Sequence, residues 1–68
     1  MMSATYSIVV EEQLDELWST WFEGLTLTHI DEGNTILQGT VDQAALYGVL
    51  IRLHDLGLTL ISVNRLDD

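Results

Sequence analysis

The 68-residue chain contains no cysteine, no proline and no lysine, and its only basic side chains are Arg52 and Arg65. Without cysteine there are no disulfides, no thiolate metal sites and no thiol nucleophile, a composition that fits a reducing cytoplasm. Without lysine there is no Schiff-base or ammonium chemistry. Eleven acidic residues stand against the two arginines, giving a formal net charge of −9. Such a surface repels a phosphate backbone, whose binding depends on Lys and Arg displacing counterions, so nucleic acid is excluded as a partner. No apolar run approaches the roughly 18 to 20 residues that a membrane span requires. No basic segment leads into a long apolar stretch at the start, so no signal peptide is expected and a cytoplasmic location is.

What the chain has is apolar content, at 47% of a 7.6 kDa protein. Residues 1–68 read as a single domain, near the size at which one core is marginally sufficient and association often completes it. The acidity keeps so apolar a chain soluble, or steers it toward a basic protein partner.

Hydrophobic periodicity divides the chain into six elements. Thr5 to Glu11 alternates as a strand, with Tyr6, Ile8 and Val10 on one side and Val9 on the other. Leu14, Leu17, Trp18, Trp21 and Phe22 then fall at helical spacing, predicting a helix of about three turns with acidic residues at its start and Gly24 at its end. Leu25 to Ile30 predicts a strand with Leu25 and Leu27 inward. Asp31-Glu32-Gly33-Asn34 predicts a turn, with Gly33 and Asn34 both tolerant of positive φ, and Thr35 to Val41 a returning strand. Asp42 is placed to cap a second helix from about Gln43 to Leu56, which Gly57 and Leu58 end in a Schellman-type stop. Leu58 to Asn64 is the last strand. Strand, helix, strand, strand, helix, strand predicts an α+β, ferredoxin-like β-α-β-β-α-β sandwich. Its four-stranded antiparallel sheet has order 4-1-3-2 or the reverse, with two helices on one face.

Two helices cover one sheet face, yet Ile8-Val9-Val10, Thr35-Ile36-Leu37 and Leu58 to Val63 place apolar side chains on both. The surplus predicts a binding surface on the open face, with Val9, Ile36, Ile61 and Val63 as contributors. Trp18 is a candidate partner anchor, and of the two tryptophans the one expected to be partly exposed. Gly48 costs its helix roughly 1 kcal/mol relative to alanine, which predicts a close approach there by the first helix or by a second subunit. Gly39, inside a strand, predicts a bulge or room for a bulky side chain.

The inventory for chemistry is thin. His29 and His54 have no ligand-like spacing to each other or to the acidic residues, so no metal site is expected. Ser3, Ser7, Ser19 and Ser62 lie in no nucleophile elbow, and the glycines are scattered singly, so neither catalysis nor a phosphate-binding loop nor any cofactor is expected.

Trp18-Ser19-Thr20-Trp21-Phe22-Glu23-Gly24-Leu25, with Asp42-Gln43-Ala44-Ala45-Leu46-Tyr47-Gly48 and Asp55-Leu56-Gly57-Leu58, resembles a widespread family of short uncharacterised bacterial proteins over nearly the whole chain. The resemblance implies a stand-alone bacterial domain and no particular chemistry. The expected function is a small non-catalytic interaction module that self-associates, most simply as a dimer, through its open sheet face. The alternatives are a small-molecule-sensing regulatory domain with its ligand site at a dimer interface, and an acidic modulator of a basic partner. Against the sensor, the Glu11-Glu12-Gln13 loop lacks the glycine such domains use.

Overall fold

The computed structural model describes residues 2–22, 24–31 and 33–66. Glu32 of the expected turn and the Asp67-Asp68 tail lie outside them. The strands are β1 (Ser3–Val10), β2 (Thr26–His29), β3 (Thr35–Asp42) and β4 (Leu60–Arg65), with a single α-helix, α1 (Gln43–Asp55), and a short 3-10 segment at Glu16–Thr20. The strands form one antiparallel sheet in the order β2-β3-β1-β4, the reverse of the expected 4-1-3-2.

Alternation in β1 buries Ala4, Tyr6, Ile8 and Val10 on the face that carries α1. Cross-strand partners share a face, so Leu37 and Val41 of β3 join them. Leu53 and Leu46 of α1 pack down onto this set, with Phe22 and Leu14 from the first crossover. Both ends of α1 are built as the sequence predicts. Asp42 Oδ1 accepts the Ala45 amide at 2.8 Å. At the other end Gly57, at φ 75°, lets the Leu58 amide reach the Leu53 carbonyl and the Gly57 amide reach the His54 carbonyl, each at 3.0 Å. The β2–β3 turn is closed by a side chain. Asp31 Oδ1 accepts the amides of Gly33 and Asn34 at 3.0 and 2.9 Å, and neither residue adopts positive φ.

The two-helix ferredoxin-like sandwich is not formed, because the first crossover is not a helix. Its backbone groups are taken by side chains of the sheet. The Leu14 amide donates to Thr35 Oγ1 at 3.0 Å, and that hydroxyl donates to the Glu12 carbonyl at 2.8 Å. His29 Nε2 donates to the Leu14 carbonyl. Residues 12–14 are thereby held out of helical geometry, and Asp15 starts the next turn by accepting the Leu17 amide through its side chain at 3.0 Å. Only 3-10 bonds follow, Trp18 to Asp15 and Trp21 to Trp18. Leu14 and Phe22, at the ends of the expected apolar stripe, are buried, while Leu17 turns outward.

Gly24, at φ 86°, then carries the backbone across β3 at Gly39. A Cβ on Gly39 would run into the Gly24 carbonyl and lie 3.0 Å from Leu25 Cδ2. The glycine therefore makes room for backbone rather than for an aromatic side chain. Gly48 is the opposite case: nothing lies within 4 Å of where its Cβ would be, so the close approach expected there does not occur within the chain.

Three substitution results follow from this geometry. Gly39→Ala is expected to cost about 1 to 3 kcal/mol in urea unfolding, because the obstacle is main chain, whereas Gly48→Ala stabilises by up to ~1 kcal/mol. Thr35→Val, of the same shape without the hydroxyl, strands the Leu14 amide and Glu12 carbonyl and is expected to cost about 1 to 3 kcal/mol. Wild-type stability in the valine variant would mean that the crossover is held by other contacts.

Candidate functional site

The face of the sheet away from α1 follows from the strand register. Across it run a row of Thr28, Ile36, Val9 and Ser62, a row of Thr26, Gln38, Ser7 and Asn64, and the pair Thr40 and Thr5, whose hydroxyls are 2.8 Å apart. Val9 and Ile36 are direct partners, both half-buried, and they are the apolar members of these rows. This face is a threonine- and serine-rich surface with one small apolar centre. The broad apolar face expected from the sequence is not there.

Val63 and Ile61 lie elsewhere. Val63 pairs with Ile8 and Leu60 with Val10, so both belong to the face that carries α1. Ile61 is the extra residue of a bulge opposite Val9 and Val10 and has no partner across the ladder. Leu60, Ile61 and Val63 remain 47%, 49% and 36% exposed because α1 packs mainly on β3 and no second helix covers the β4 side. The flank of α1 turned toward that side begins at Gln43, whose amide donates to Tyr6 Oη on β1 at 2.6 Å. Tyr47 lies one turn further on and is exposed. The surplus of apolar side chains is thus real, and it lies along the β4 edge.

A second exposed apolar region surrounds the first crossover. Phe22 is core, while Trp18 is partly buried against it and Trp21 is the more exposed tryptophan, the reverse of the expectation for the pair. Trp21 and Leu56 form the common wall of two adjoining clefts. One, of about 270 Å³, adds Asp15, Leu17 and Trp18. The other, of about 300 Å³, adds Gly48, Ile51, Arg52 and Asp55. Arg52 lies over the Trp21 ring, 5.2 Å from its centroid, in cation–π contact.

The six residues expected to mark an interface are therefore in three places: Val9 and Ile36 on the open face, Ile61 and Val63 on the β4 edge, Trp18 and Gly48 around the clefts. The sequence holds a signal that separates these surfaces. From Gln43 to Leu66 the chain has Asp55 as its sole acidic residue, against Arg52 and Arg65, so nearly all of the negative charge lies outside α1 and β4. Leu17 and Trp21, assigned from their spacing to a buried stripe, are the interface candidates that periodicity alone misses.

His29, Tyr6 and Asp42 have structural partners. The His29 ring bridges the Leu14 carbonyl and, through Nδ1, the Gln13 amide at 3.5 Å. Tyr6 Oη accepts from Gln43, and Asp42 caps α1. Among the described residues no group of His, Cys, Asp or Glu is arranged to hold a metal ion, and no helix is long and apolar enough to cross a membrane.

Comparison with curated proteins and with solved structures finds no match for this chain. A family model does match, over residues 5–64, from the middle of β1 to the penultimate residue of β4. The chain is a member of the family described as Domain of unknown function (DUF8691).

Proposed function

We propose that this protein is a non-catalytic interaction module that self-associates in the cytoplasm, two copies joining edge to edge along β4 so that their sheets become continuous. The observation that carries this reading is the character of β4. It is an outer strand of six residues, with Leu60, Ile61 and Val63 exposed, no proline, lysine or acidic residue, and Arg65 at its end as its one charged side chain. Proteins usually guard such edges with charge or proline, since their free N–H and C=O groups invite pairing with another chain. The other edge strand, β2, is four residues long and reads Thr-Leu-Thr-His.

Charge bears on the same location. Two copies at −9 repel, and β4 itself carries no acidic side chain, although the Glu12 carboxylate at Thr59 and Asp67-Asp68 in the sequence flank it. Completing the burial of Leu60, Ile61 and Val63, each a third to a half exposed, contributes about 1 kcal/mol apiece per copy. Neighbouring Tyr47 on α1 extends the apolar strip. The partners already held by Tyr6, His29 and Asp42 support a structural rather than catalytic use of those groups.

Light scattering over a dilution series is expected to give twice the chain mass in the wild type. Ile61→Lys and Val63→Lys, at exposed positions, should give the mass of one folded chain. Because like-charged copies repel through solvent, association should tighten as salt is raised from about 0.1 M to about 1 M. A wild type that stays at the mass of one folded chain at high concentration and high salt rejects the proposal.

A further inference from the structure

The paired clefts around Trp21 lie apart from the β4 edge and have a different electrostatic setting. We infer that they receive a basic amphipathic helix from a partner protein, its apolar side chains seated on either side of Trp21 and its Lys or Arg residues against Asp15 and Asp55.

Three features of the surface point to this occupant. The first is shape: the clefts share Trp21 and Leu56, and each is roomy enough for an aliphatic side chain, the pattern met by successive turns of a helix laid into a groove. Their walls are exposed apolar groups, with Leu17 77%, Ile51 61% and Trp21 50% accessible. The second is Gly48. It sits in the middle of α1 at a cost in helix propensity, with no atom within 4 Å of its would-be Cβ, and it lines one of the clefts. Its side-chain-free surface keeps that cleft open for a neighbour that is not part of this chain.

The third is charge. Asp15 lines one cleft and Asp55 the other, where Arg52 also lies. A second copy docking here would set Asp15 and Asp55 against its own acidic groups, which is the wrong sign for self-association. Arg52 is turned onto the face of Trp21, where it stiffens the indole. A cationic helix meets opposite charge at both ends of an apolar seat, an arrangement that gives orientation and a fast encounter as well as affinity.

A test uses a short helical peptide of leucine and lysine at amphipathic spacing, titrated while the emission of Trp18 and Trp21 is followed. The controls are the same peptide with glutamate for lysine, and oligolysine. The leucine–lysine peptide is expected to bind with a blue shift, and to weaken about tenfold or more between about 0.1 M and about 1 M salt. Leu17→Ser, at a site already exposed, and Asp15→Asn with Asp55→Asn should each reduce affinity, and the double asparagine variant should also flatten the salt dependence. Gly48→Leu gives a readout of opposite sign in two measurements: the unfolding temperature rises, because a better helix former replaces glycine in open space, while peptide affinity falls because the cleft is filled. Val63→Lys should leave peptide binding unchanged, which separates this site from the β4 edge. The inference is overturned if oligolysine binds as well as the amphipathic peptide, if Gly48→Leu and Leu17→Ser bind like wild type, or if the peptide does not bind.

Discussion

The hydroxyl of Thr35 decides the shape of this molecule. It is fully buried, it takes the amide of Leu14, and it gives its own proton to the carbonyl of Glu12. A polar group in that position has to be satisfied inside the protein, because an unpaired buried hydroxyl costs free energy on the scale of a lost hydrogen bond. Satisfying it fixes the crossover to the sheet before any helix begins. The clasp is reinforced where Glu11 donates its amide to the Thr59 carbonyl and Glu12 Oε1 accepts the Thr59 amide, each at 2.9 Å. The start of the crossover is thus tied to the loop that enters β4. One helix instead of two follows, and with it both exposed apolar regions: the strip beside β4 that no second helix covers, and the indole of Trp21 that no second helix turns inward.

The parts of the fold legible in the sequence are those decided by neighbours in the chain. Asp42 and Gly57 mark the ends of α1 through bonds that reach no further than a few residues, and β1 shows its buried face in Tyr6, Ile8 and Val10, two residues apart. Leu25 and Leu27 turn inward and Thr26 and Thr28 outward as their alternation requires. The segment from Leu14 to Phe22 fails for the complementary reason. Its apolar spacing satisfies a helix, but Thr35 and His29, from strands later in the chain, claim the backbone groups that a helix would use. No local pattern encodes that competition.

The misreading of the open face has a related cause. Ile36 and Val9 were visible as outward residues, and the register brings them together. Ile61 and Val63 are expected on the open face but do not lie there, because the bulge at Ile61 breaks the alternation, and a one-residue slip exchanges the faces of a strand. Their apolar character is therefore a property of the edge. The distribution of charge, by contrast, is plain in the sequence: the stretch that forms α1 and β4 is nearly free of acidic residues, and the crossover is rich in them. In the fold this becomes two surfaces of different kind. The β4 edge carries Arg65 and no acidic residue, and the clefts around Trp21 have Asp15, Asp55 and Arg52 in their walls.

The central position of β1 has a kinetic consequence. Its hydrogen-bonding neighbours are β3, beginning at Thr35, and β4, beginning at Leu60, and the Leu66 amide closes the far end on the Thr5 carbonyl at 2.8 Å. As the polypeptide leaves the ribosome, Ile8, Val9 and Val10 emerge first, yet the strand they belong to is not flanked on both sides until more than fifty further residues have been synthesised. Closing such long loops before any contact rewards them makes folding slow for a chain of this size. In that interval a bare, uncharged valine–isoleucine segment is exposed to other chains in the same state.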